Sequence, residues 1–163
     1  MADIGKPQIP KGDLMNAVFR AKCTEDKIED IKRMLKEDDR GELDLDRAVL
    51  ATCFHGSLTV LKHFLETPNL REKINLYTPY EAGPPHYIPD GLLLHSYFKG
   101  HPHVVDYFLY DIKFDVCRDT KNYLEFHNET ELLNKIEKRD LFFLMNKEIQ
   151  DNSQESKEKK PKL

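Results

Sequence analysis

Apolar residues recur through the middle of the chain as short helical stripes separated by sharp breaks. In "VLKHFL" the pairs Val60-Leu61 and Phe64-Leu65 lie at i, i+1, i+4 and i+5, one face of an α-helix. The pattern returns as Val104-Val105 and Phe108-Leu109. A break containing Gly56 or Gly100 precedes each stripe, and glycine can take the left-handed conformation that ends a helix. Ser57 then caps one following helix. In the other, His101 holds the cap position and Pro102 the first helical position, where its missing N–H costs nothing. Thr67-Pro68 closes the helix that carries Phe64 and Leu65.

These segments superpose. A shift of 30 residues lays "RAVLATCFHGSLTVLKHFL" (47–65) over "AVFRAKCTEDKIEDIKRML" (17–35), with Cys53 on Cys23, Leu61 on Ile31 and Leu65 on Leu35. A shift of 44 carries Gly56 onto Gly100 and the second stripe onto the third. The first copy has Thr24-Glu25-Asp26 at its turn in place of glycine. Helix–turn–helix units at such spacing predict an all-α repeat solenoid, in which stacking buries faces that no unit can bury alone. The repeats fall at 13–43, 44–76 and 88–117, followed by a C-terminal capping segment at 118–149. Within that segment 128–149 reads as one amphipathic helix, with Asn128 as its cap and Glu131 completing a capping box. Residues 1–12 read as a flexible N-terminus and 150–163 as a disordered charged tail.

The run "SYFKGHPHVVDYFL" at 96–109 resembles the ankyrin repeat. Ser96 takes a small-residue slot of the inner helix, Gly100-His101 the turn, and Val104-Val105 and Phe108-Leu109 the outer-helix core. "TCFHGSLTVLKHFL" at 52–65 matches nearly as well, and "FDV" at 114–116 and "IN" at 74–75 resemble the closing residues of a repeat. "RAVL" and "GLLL" stand where that family opens with Thr-Pro-Leu-His, and Lys22 occupies a small-residue slot. The resemblance spans about three divergent repeats over residues 13–117. It implies non-catalytic protein–protein recognition, with no cofactor.

Composition narrows the classes further. A net charge of −4 argues against a general nucleic-acid binder. No apolar run reaches the length of a membrane span, and the first residues contain no signal-peptide core. Three cysteines without framework spacing read as reduced thiols, which places the chain inside a cell, in the cytoplasm. The terminal "KEKKPKL" adds nuclear import as the functional reading of an otherwise solubilising tail. The acidic runs "EDKIED" and "KEDDRGELDLD" read as solvated faces.

Metal and nucleophile chemistry form the rival class, a small metal-binding or Cys/His-dependent enzyme domain. Seven histidines supply enough ligands, yet none pair at i, i+4 on one helix, and no Cys-x₂₋₄-Cys occurs. His95, His101 and His103 fall in three different slots of one repeat: inner helix, turn and outer-helix start. His101 is expected to bond backbone and His103 to face solvent. Cys23 and Cys53 occupy equivalent slots that suit a small buried residue. The expected chain is therefore a monomeric, non-enzymatic module with no bound metal, whose partner is another protein.

The contact surface follows from which positions packing leaves open. Phe54-His55 and Phe98-Lys99 immediately precede the two turn glycines on the inner helices. The long connection at 67–91 holds Tyr77, Tyr80, His86 and Tyr87 among prolines, rigid amphipathic area of the kind interfaces use. These eight residues are the predicted protein-binding set.

Overall fold

The computed structural model describes residues 11–81, 87–88 and 90–158, with side chains over 12–79 and 90–150. Within them the protein is all-α. Nine helices form, and the extended pairing is a two-residue antiparallel ladder, β1 (Tyr80–Glu81) with β2 (Tyr87–Ile88). The chain divides into two compact units, Met1–Asp106 and Tyr107–Leu163.

Three helical hairpins make the first unit: α1 (Lys11–Thr24) with α2 (Ile28–Glu37), α3 (Leu45–His55) with α4 (Leu58–Glu66), and α6 (Gly91–Phe98) with α7 (Pro102–Asp106). A single-turn helix, α5 (Pro68–Arg71), follows α4, with proline at its first position. Helix α3 packs against α1 on one side and α6 on the other. Between them Phe19, Cys23, Ala48, Val49, Cys53 and Leu92–Leu94 are buried, and Val60, Leu61, Phe64 and Leu65 bury the stripe of α4. Phe19 and Phe64 meet edge to face at 6.0 Å.

The turns share one chemistry. Asp26, Gly56 and Gly100 all have positive φ, at 54°, 74° and 76°. The following N–H in each case reaches back five residues, Lys27 to Lys22, Ser57 to Thr52 and His101 to Ser96. That bond satisfies a carbonyl the helix end would otherwise orphan. The first turn therefore keeps the geometry although it lacks glycine. Aspartate tolerates the left-handed region better than most residues, and Asp26 also accepts the Val60 N–H at 2.9 Å.

Neighbouring hairpins are tied through equivalent atoms. Ser57 Oγ donates to the Thr24 carbonyl at 3.1 Å, and His101 Nε2 donates to the Phe54 carbonyl at 2.9 Å. Donor and acceptor occupy the same positions relative to their left-handed residues in both cases. The acidic runs are less passive than solvated faces. Asp38 accepts the Glu42 and Leu43 N–H groups, Asp44 caps α3 through the Arg47 N–H, and Asp46 accepts the Asn75 N–H.

The second unit opens with a π-helical turn (Tyr107–Asp111), then carries α8 (Arg118–Phe126) and α9 (Thr130–Glu158). Its core holds Tyr107, Phe108, Leu109, Phe114, Val116, Leu124, Leu132 and Ile136. Helices α8 and α9 form a fourth hairpin, and here the reading of Asn128 as a helix cap is corrected. Asn128 has φ 57° and terminates α8, while the Glu129 N–H reaches back to Leu124. Asparagine serves both as an N-cap and as a left-handed turn residue, and the geometry selects the second. Helix α9 runs to Glu158, past its last apolar residue, Ile149. Among the residues that follow, Gln150, Gln154, Glu155, Lys157 and Glu158 are good helix formers. Of the flexible N-terminus expected at 1–12 and the disordered tail expected at 150–163, residues 1–10 and 159–163 lie outside the described residues, while α1 takes in 11–12 and α9 takes in 150–158.

Candidate functional site

Helices α3 and α6 lie side by side and end in the dipeptides Phe54-His55 and Phe98-Lys99. Phe54 is 38% exposed, a large apolar ring at the surface. Its partners are cationic or heteroaromatic: His55 at 5.2 Å, His95 at 6.0 Å, and the Lys99 ammonium 4.0 Å above the ring centroid. The ammonium sits well within the range for attraction to an aromatic quadrupole. Phe98 is 37% exposed and packs edge to face against Tyr97 at 5.2 Å. Burial, and then the nearby Lys99 charge, hold the His95 imidazole below its ordinary pKa. The Lys99 ammonium is thus the cation set over this patch.

Backbone bonds hold the patch rigid. His101 Nε2 donates to the carbonyl of Phe54 itself, and His103 Nε2 donates to the Gly56 carbonyl at 2.9 Å. Both rings therefore carry a proton on Nε2. His101 bonds backbone as its turn position predicts. His103 is exposed, as expected, and ties the turn as well.

Of the eight predicted contact residues, Phe54, His55 and Lys99 come together around one ring. Tyr77 is 50% exposed, with its N–H bonded to Asn75 Oδ1. Tyr80 and Tyr87 contribute backbone to the β1–β2 ladder, and His86 lies outside the described residues.

Cys23 and Cys53 are buried, and burial pushes both thiols up to about 12, far from thiolate chemistry at neutral pH. Among the described residues, no three His, Cys, Asp or Glu side chains converge as a metal-ligand set. Among them too, no helix is long and apolar enough to cross a membrane.

One pair escaped the sequence reading. Phe126-His127 stands immediately before Asn128, the same two positions that Phe54-His55 hold before Gly56. Phe126 is 80% exposed, and His127 packs on Tyr123 at 4.4 Å. The signal was an aromatic–basic dipeptide ahead of a residue able to adopt positive φ, 28 residues after Gly100.

Compared with protein-family models, with curated proteins and with solved structures, the chain matches none of them.

Proposed function

We propose that the chain is an ankyrin-like repeat solenoid that serves as a non-catalytic protein-recognition module, and that the Phe54–Lys99 patch is its principal contact. Repetition of one turn at Asp26, Gly56, Gly100 and Asn128 supports the repeat reading. So do the equivalent Ser57–Thr24 and His101–Phe54 bonds.

The observation that carries the recognition reading is the Lys99 ammonium 4.0 Å above a half-exposed Phe54 ring, on a turn fixed by two imidazoles. Exposed aromatics on rigid backbone lose little entropy on binding, and aromatic and cationic anchors dominate interface energetics. The patch suits a partner that offers an apolar side chain beside a carboxylate. Two buried thiols displaced away from ionisation support the non-enzymatic reading. The free cysteines fit a reducing compartment inside the cell.

The test is capture of cellular partners by the wild type and by Phe54→Ala, Phe98→Ala and Tyr80→Ala, each checked by circular dichroism for an intact fold. Loss of the same partner in the Phe54 and Phe98 variants is expected. Undiminished capture by all three would place recognition elsewhere.

A further inference from the structure

Helix α9 exposes an apolar arc that its own unit leaves open. Leu132, Ile136 and Arg139 are buried, and Phe143 and Asn146 half-buried, so one face of the helix turns inward. On the rest, Leu141, Phe142, Leu144, Met145 and Ile149 are each more than half exposed. Five large apolar side chains within about two helical turns exceed the scattered exposure of an ordinary surface. Beside this arc Phe142, Phe143 and Ile149 join Tyr110 in lining a surface groove of about 570 Å³. Lys113 and Lys147 stand at its walls, and among the described residues no carboxylate lines it. Lys113, itself in the left-handed region at φ 55°, holds its ammonium 5.5 Å from the Phe143 ring.

We propose that this groove docks an acidic amphipathic helix of a partner protein. An apolar helix face laid into a hydrophobic groove is a recurring recognition mode, its anchors spaced i, i+3, i+4 and i+7. The lysines fix the charge of the partner's flanking residues, because two ammonium groups beside an apolar groove reject a basic helix and steer an acidic one. A second copy is disfavoured as occupant, since self-pairing over this face sets like lysines against each other. A lipid surface is disfavoured because Glu137, Asp140 and Glu148 alternate with the lysines of α9, where interfacial helices concentrate positive charge. The groove lies wholly within the second unit, so the proposal does not rest on what Phe54 binds.

Two synthetic helical peptides test it. Both carry the same Leu/Phe stripe, one with glutamates and the other with lysines on the remaining positions. Each is titrated against the full chain by fluorescence anisotropy. The glutamate peptide is expected to bind about tenfold more tightly than the lysine peptide, and the preference to reverse in Lys113→Glu/Lys147→Glu. Both lysines are exposed, so that variant should fold. Phe142→Ser/Ile149→Ser is expected to lose binding with its circular dichroism unchanged. No binding, equal affinity for both peptides, or an unchanged preference in the lysine variant overturns the proposal. So does a dimer in sedimentation, or flotation with phosphatidylserine vesicles, that the Phe142/Ile149 variant abolishes, since either assigns the face to another occupant.

Discussion

A Cβ built on Gly56 would stand 2.6 Å from Nδ1 of His101, so these two residues fit together only because one has no side chain. Gly56 also holds φ 74°. Gly56→Ala is expected to lose about 1–2 kcal/mol from left-handed strain, and more from displacing the imidazole. Adding His101→Ala should recover the steric part and leave the backbone part, while freeing the Phe54 carbonyl. Urea unfolding of the two single variants and the double variant separates these contributions. A Gly56→Ala midpoint equal to wild type would mean the turn is not under this constraint.

Lys99→Met should leave the fold almost intact, because an exposed cation–π contact contributes only about 0.5–1 kcal/mol. Partner capture through Phe54 should fall much further, since the variant removes the charge that recognises a carboxylate. Equal, small losses in both measurements would make Lys99 a packing residue only.

Partial burial alone would raise the Asp140 carboxyl, but hydrogen bonds from Lys121 and Arg139, and their charges, hold it below the ordinary range. Lys121 Nζ lies 2.7 Å from the carboxylate. A depressed folded-state pKa adds stability that is fully present above the unfolded value, about 3.9, and is lost as pH falls through the folded value. The second unit should therefore weaken on acidification below about pH 4. Asp140→Asn should remove this contribution and flatten that part of the profile. Thermal melts of both proteins between neutral and acid pH read the difference, and parallel profiles would deny Asp140 this role.

Thiol reactivity should sort the three cysteines. Cys23 and Cys53 are buried and displaced to about 12, whereas Cys117 is half-buried near the start of α8. A maleimide at neutral pH should modify Cys117 alone in the native protein and all three in urea. Mass spectrometry counts the adducts, and prompt native labelling of Cys53 would show that the α3–α6 packing opens readily.

The all-α character and the first three hairpins were legible because their signals are local. The stripe of α4 returns at fixed offsets in α7 and the π-helical turn after it, and Gly56 and Gly100 mark the breaks. The fourth hairpin was not, because α8 buries little: Thr120 and Leu124 are its buried residues. Its end is marked by Asn128, whose spacing to Glu131 imitates a capping box. The Phe54–Lys99 contact was half legible. Both residues stand out by position, but their meeting depends on α3 and α6 packing side by side. The lysine-walled groove was hidden for a related reason. Tyr110 comes from a π-helical turn, which shifts side-chain directions away from the regular period on which sequence patterns rest, and Lys113 follows it at positive φ.

The turns of the hairpins close on their own backbone, yet the chain between successive left-handed residues varies: 30 residues from Asp26 to Gly56, 44 from Gly56 to Gly100 and 28 from Gly100 to Asn128. A hairpin sealed within itself is indifferent to the length of the strap that leads onward. Doubling a flexible strap adds only about 0.6 kcal/mol of closure entropy. Lengthening the connection between α5 and α6 should thus leave the registry of α3 on α6 as it is.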